Sequence, residues 1–312
     1  MARFIFYVLV LAGIAYGGWS LLRPSATPVP LAAEEPGPAA SARPASSGPV
    51  PEADAEVAGQ LVARADALLA DAGSATSLAQ AIELKDRARR ILWDAALRSG
   101  SVVEADALTK RVEALNEDVL FSEPPAPARF HLHEFRPGDR LWTLCYRTFP
   151  KDPGVKVEPG FLLWVNGISD PRKIQEGRVL RVPRDELSVL VRKSQYRLWV
   201  LLGGVALRSF AVGIGANDKT PEGIFEIETK IERPDWYAEG RRVPFGHADN
   251  PLGTRWMGFR RTKQAAGYGI HGTSEPDTIG KAASQGCVRM LNRDSEELFS
   301  WVAAGTKVTI TR

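Results

Sequence analysis

From Val189 to Ile227 apolar residues alternate with polar ones, and each run stops at a glycine or proline turn. Val189-Leu190-Val191, Arg197 to Leu201, Leu207 to Val212 and Ile224 to Ile227 carry the pattern. A period of two turns one face of a strand toward a core and does not suit a helix. Residues 186–312 are therefore expected to form a mostly β domain.

The chain upstream reads differently. Glu52 to Ser122 is rich in Ala, Leu, Glu and Arg, with Val57, Leu61, Ala65, Leu68 and Leu69 at helical spacing. Gly73-Ser74 and Gly100-Ser101 punctuate it, so residues 52–122 are expected to be two or three helices in a hairpin or short bundle. Their apolar stripes read as core, and no function follows from them. Residues 24–51 are dominated by Pro, Ala and Ser, the composition of a solvated spacer. Phe4 to Leu22 is free of charge and flanked by Arg3 and Arg23, which is enough length to span a bilayer. Residues 1–23 are thus expected to be a single-pass inner-membrane anchor, with Arg3 on the cytoplasmic side and the rest in the periplasm. A cleaved signal peptide is the alternative, although Gly17 to Ser20 make a poor cleavage site.

Forty basic and 37 acidic residues give a net charge of +3 without a dense basic run, which argues against nucleic acid as a partner. Cys145 and Cys287 are the only cysteines, so neither a disulfide framework nor a CxxC metal site is signalled. His131, His133 and His247 read as surface, strand or loop residues, and no metal or cofactor is expected.

Phe135-Arg136-Pro137-Gly138-Asp139-Arg140-Leu141-Trp142-Thr143-Leu144, then Leu163 to Ile168, then Ile174 to Pro183, resemble a LysM module over 131–183. The resemblance implies a small βααβ domain at 129–184 that contacts the glycan strands of peptidoglycan, concentrating the protein there while taking no part in chemistry. Pro137-Gly138 sets a turn, Asp139 is expected to cap the next helix, and Cys145 to be an inert packed thiol. The Lys- and Pro-containing stretch 150–159 departs from the family pattern.

The strongest signal is chemical. His271-Gly272-Thr273 is followed by Ile279-Gly280 and by Ser284-Gln285-Gly286-Cys287-Val288-Arg289-Met290. A thiol must ionise to attack, and an imidazole supplies the proton acceptor. Cys287 is the expected nucleophile and His271 its base. Glycines at 272 and 286 let backbone approach closely, and N–H groups near Gly286 and Cys287 are candidates for an oxyanion site. Arg289 would share a strand face with the thiol and grip a substrate carboxylate. Ser284 and Thr273 are expected to orient loops, and Tyr268 and Gln285 to border the substrate.

With Thr220-Pro221-Glu222-Gly223, Asn250-Pro251-Leu252-Gly253 and the closing Gly305 to Ile310, this pattern resembles an L,D-transpeptidase of the YkuD type. The resemblance implies a sandwich-type catalytic domain and a membrane-tethered cell-wall enzyme. Cys287 would attack the bond after the third residue of a tetrapeptide stem and release D-Ala. An amine would then take the acyl group, giving a 3→3 cross-link or protein attachment. Water as acceptor would make an L,D-carboxypeptidase, and a non-catalytic wall-binding scaffold is the reading from another class. Gln285 stands where the family commonly has His; it keeps hydrogen bonding and loses charge.

Overall fold

The computed structural model describes residues 52–122, 129–238, 240–262 and 266–312. The expected anchor 1–23 and spacer 24–51 lie outside the described residues. Among the described residues, no helix is long and apolar enough to cross a membrane.

Three helices open the described chain: α1 (Glu52–Gly73), α2 (Leu78–Arg98) and α3 (Val102–Leu120). Ser77 and Ser101 cap α2 and α3 by accepting the N–H of Gln80 and Glu104, so each of these helices starts for a local reason. Next comes a strand–helix–helix–strand unit. Strand β1 (Phe130–Glu134) leads to a short helix, Leu141–Thr143, that continues as a π turn, Leu144–Thr148. Helix α4 (Pro159–Val165) and strand β2 (Val179–Pro183) follow, and β2 pairs antiparallel with β1. Asp139 does not cap the helix as expected. Its carboxylate accepts the Arg136 N–H and meets His133 Nε2, both at 2.9 Å, and so closes the Pro137-Gly138 turn instead. Cys145 is 1% exposed, and burial beside Glu158 pushes its thiol up to about 12, so it is inert.

The remaining elements are β3 (Leu187–Arg192), β4 (Arg197–Leu202), β5 (Val205–Ala211), β6 (Ile214–Gly215), β7 (Gly223–Glu232), β8 (Trp236–Ala238), β9 (Arg241–Val243), β10 (Arg255–Phe259), β11 (Gly269–His271), β12 (Ala282–Ser284), β13 (Val288–Arg289), α5 (Asn292–Trp301) and β14 (Lys307–Thr311). Eight strands form one mixed sheet in the order β13-β11-β10-β7-β14-β3-β4-β5. The expected sandwich is therefore not two separate sheets. Strand β7 is long enough to pair β14 with Gly223 to Glu226 and β10 with Ile227 to Glu232, which carries one half of the sheet into the other. Val191 and Val200 from one half share a core with Met257, Ile270 and Val288 from the other. That core backs β11 and the edge strand β13.

The three helices cover the opposite face of β3 to β5, where Leu92, Trp93 and Val112 pack on Leu190, Trp199 and Ala206. Burying a guanidinium is costly unless it is paired. Arg89, 1% exposed, donates to Asn116 Oδ1 at 2.6 Å and pairs with Asp86 at 2.7 Å. Asn116 in turn donates to the carbonyls of Ala206 and Leu207, tying α3 to the last strand of the sheet. Nor is the βααβ unit a separate bead. A Cβ on Gly160 of α4 would lie 2.5 Å from the Ser300 carbonyl of α5, and Phe161 and Trp164 pack on Trp301 with ring centroids 5.7 and 4.6 Å apart. Removing 131–183 would therefore strip cover from Trp301.

Candidate active site

Strands β6 and β12 run parallel, with Ser284 opposite Gly215, and β11 and β13 run parallel, with His271 opposite Arg289. Cys287 sits on the turn between these two ladders. Ile270 and Val288 point into the core, so the alternation of strands puts His271, Arg289 and Cys287 together on the other face. The pattern recognised in sequence is thus brought to one place by β11 and the edge strand β13.

The turn has a local cause. Ser284 Oγ accepts the Gly286 N–H at 3.0 Å and donates to the Cys287 carbonyl at 2.7 Å. Gly286 has φ +134°, and a Cβ there would lie 2.2 Å from Cε1 of Tyr268, so the ring of Tyr268 lies against the glycine. One expectation changes here. The Gly286 N–H is spent on Ser284 and is not free for an oxyanion. Gln285 is exposed, and its Oε1 accepts from Lys219 Nζ at 3.0 Å.

His271 is 3% exposed and stacks on Trp256, its partner across the β10–β11 ladder, with centroids 5.7 Å apart. Its Nδ1 faces the Gly272 carbonyl. The loop that follows is clamped by Asn292, the first residue of α5, whose Oδ1 accepts the N–H of Thr254 and of Thr273 at 3.1 Å each. A Cβ on Gly272 would lie 2.3 Å from that oxygen, which is why glycine stands there. Thr273 is buried, and its hydroxyl accepts the Glu275 N–H at 2.9 Å. An open cavity of about 500 Å³, lined by Thr273, Ser274, Pro276, Leu291, Asn292 and Arg293, borders this loop.

Arg289 Nη1 pairs with Glu275 at 2.6 Å and reaches Thr278 Oγ1 at 3.3 Å, while its buried Nε has no hydrogen-bond partner among the described residues. The half-buried Cys287 thiol points at the Gly267 carbonyl, 3.8 Å away. Burial pushes this thiol up to about 11, against the opposing pull of the Gly269 backbone and Arg289. Burial also lowers His271 to about 4, opposed by the backbone of Gly272 and Leu252 and aided by Arg289. At rest the thiol and the imidazole are each neutral.

The depressed histidine gives a prediction. A group whose folded pKa lies below its unfolded value stabilises the fold above the unfolded pKa, and that stabilisation is lost as pH falls toward the folded one. For His271 the window runs from about 6.5 down to about 4. Between pH 7.5 and 4.5, urea unfolding of the wild type should lose about 2 to 3 kcal/mol more than that of His271→Gln. Equal losses would mean that the imidazole is not held neutral by burial.

Thr220, Asn292 and Trp256 stand outside the sequence expectations for the site. Thr220 belongs to the quoted Thr-Pro-x-Gly turn, the one available signal, whereas nothing local marks the other two. His247 lies exposed in its loop, where its Nδ1 accepts the Asp249 N–H at 3.1 Å.

At this end of the sheet a half-buried cysteine on the turn before β13, a buried histidine on β11 and an arginine on β13 are gathered. A family model for the YkuD-type L,D-transpeptidase catalytic domain matches residues 186–310. YqjB of Bacillus subtilis, which carries the name L,D-transpeptidase, is 39% identical over 125 residues, covering 39% of this chain and 70% of that one. YkuD of Bacillus licheniformis, which carries the same name, is 36% identical over 194 residues, covering 58% of this chain and 98% of that one. The chain belongs to the YkuD family of L,D-transpeptidases and is an enzyme of that class. A solved mutant of the Enterococcus faecium L,D-transpeptidase is 23% identical, at TM-score 0.33, over 44% of this chain and 54% of that one. A likeness of that size adds nothing to the assignment.

Proposed function

We propose that the chain acylates Cys287 with a peptidoglycan stem and passes the acyl group to an amine. The observation that supports this is Cys287 on the turn that leads into β13, whose Arg289 lies opposite His271 on β11, in a chain of this family. The thiol leaves the Gly267 carbonyl for the imidazole, and Sγ adds to the carbonyl carbon of the third stem residue as its proton passes to His271. With a thiol near 11 and an imidazole near 4, that transfer accompanies the attack and does not precede it. Collapse breaks the C–N bond, and His271 returns the proton to the departing D-Ala amine. The amine of a neighbouring stem then displaces the thioester, giving the 3→3 link. Arg289, with its unpartnered Nε, takes a substrate carboxylate in competition with Glu275.

In the same reading the βααβ unit is a LysM-like glycan contact. Exposed Trp142 and Tyr146, 5.1 Å apart with Arg147 over the indole, support it as a stacking surface for sugar rings. Residues 1–23 tether the enzyme to the membrane, with the catalytic domain in the periplasm.

Purified sacculi incubated with the full chain test the whole reading. The protein should pellet with them, D-Ala should be released, and mass spectrometry should find cross-linked dimers. Tripeptides without dimers would assign water as the acceptor. Pelleting without any change in the muropeptides would leave only the scaffold.

A further inference from the structure

Thr220 lies 66 residues before Gly286 in sequence and reaches it through its hydroxyl. The side chain is 1% exposed. Its Oγ1 accepts the Gly215 N–H at 2.7 Å and lies 2.9 Å from the Gly286 carbonyl. A hydroxyl has one proton to give, and with Gly215 as the donor that proton goes to Gly286. Thr220 is itself braced. Lys193, 5% exposed, donates to the Thr220 carbonyl at 3.3 Å while pairing with Asp218 and with Glu222, the latter at 2.8 Å.

The peptide planes around the nucleophile then account for one another. Ser284 holds the Gly286 N–H and the Cys287 carbonyl. Thr220 holds the carbonyl between them. A trans peptide is planar, with its N–H opposed to its C=O, so fixing the Gly286 carbonyl fixes the direction of the Cys287 N–H. That N–H has no hydrogen-bond partner among the described residues. It is a donor left open and held still, as an oxyanion requires.

We propose that Thr220 is a positioning residue that aims the Cys287 N–H at the oxyanion formed during acyl transfer. The inference rests on the cysteine reading above. As Sγ bonds to the carbonyl carbon, the π pair moves onto oxygen while the thiol proton goes to His271. The new negative charge falls on the oxygen that Cys287 N–H meets. Without the Thr220 hydroxyl the peptide turns, and the donor misses.

Two reactions of one thiol separate this role from a merely structural one. Acylation by a tetrapeptide donor builds an oxyanion, whereas alkylation by iodoacetamide displaces iodide and builds none. Thr220→Val should lower kcat for D-Ala release about 100-fold with KM nearly unchanged, as expected when an oxyanion donor is lost. Its alkylation rate should stay within about twofold, and Thr220→Ser should restore most of kcat. If Thr220→Val does not fold, Thr220→Ala gives the same two readings. Alkylation falling in step with acylation, or acylation left unchanged, overturns the proposal. D-Ala release that survives Cys287→Ala would instead overturn the cysteine reading beneath it.

Discussion

His271→Ala should lower kcat/KM for D-Ala release on the order of 10³-fold or more, while Gln285→His should change it by less than about 10-fold. The two side chains lie in quite different settings. His271 is buried, stacked on Trp256 and held neutral, so it is ready to accept the thiol proton as the bond to carbon forms. Removing it leaves a thiol near 11 with no acceptor, and a positioned base is worth roughly 10² to 10⁴. Gln285 is exposed and spends its carbonyl oxygen on Lys219. A histidine at 285 would change a rim contact, an effect of about 1 to 2 kcal/mol. A mild His271→Ala together with a roughly 100-fold gain from Gln285→His would move the base to position 285.

The parts of this molecule that were legible in sequence are those governed by near neighbours. Alternation marked β3, β4, β5 and β7, and the glycine-serine pairs marked the ends of the helices in 52–122. The run from Ser284 to Arg289 is a turn and a strand that read directly from their own residues, down to the glycine that the Tyr268 ring requires at 286. What stayed hidden is long-range. Thr220 and Gly286 meet across 66 residues, Asn292 and Thr254 across 38, and Asn116 and Ala206 across 90. A hydroxyl or an amide bonded to a distant backbone leaves no periodicity behind. For the same reason the docking of α4 on α5 was invisible: Gly160 and Trp301 each look ordinary until packing brings them together. Asp139 misled because an aspartate ahead of a helix has two uses, and here the turn took it.

Replacing Cys287 should have the largest effect of all, because every later step of the proposed mechanism needs its thioester. The chain has two thiols, and the structure separates them sharply. Cys145 is packed in the core with its thiol near 12, whereas Cys287 is half-buried on the turn that leads into the edge strand β13. In the proposed mechanism only Cys287 combines access with a base. The direct measurement is intact-protein mass spectrometry, followed by peptide mapping, after brief incubation with a tetrapeptide donor and no added amine. The account predicts one adduct of donor mass less D-Ala, mapped to Cys287 and absent from Cys287→Ala. An adduct that persists in Cys287→Ala, or that maps to Cys145, would contradict it.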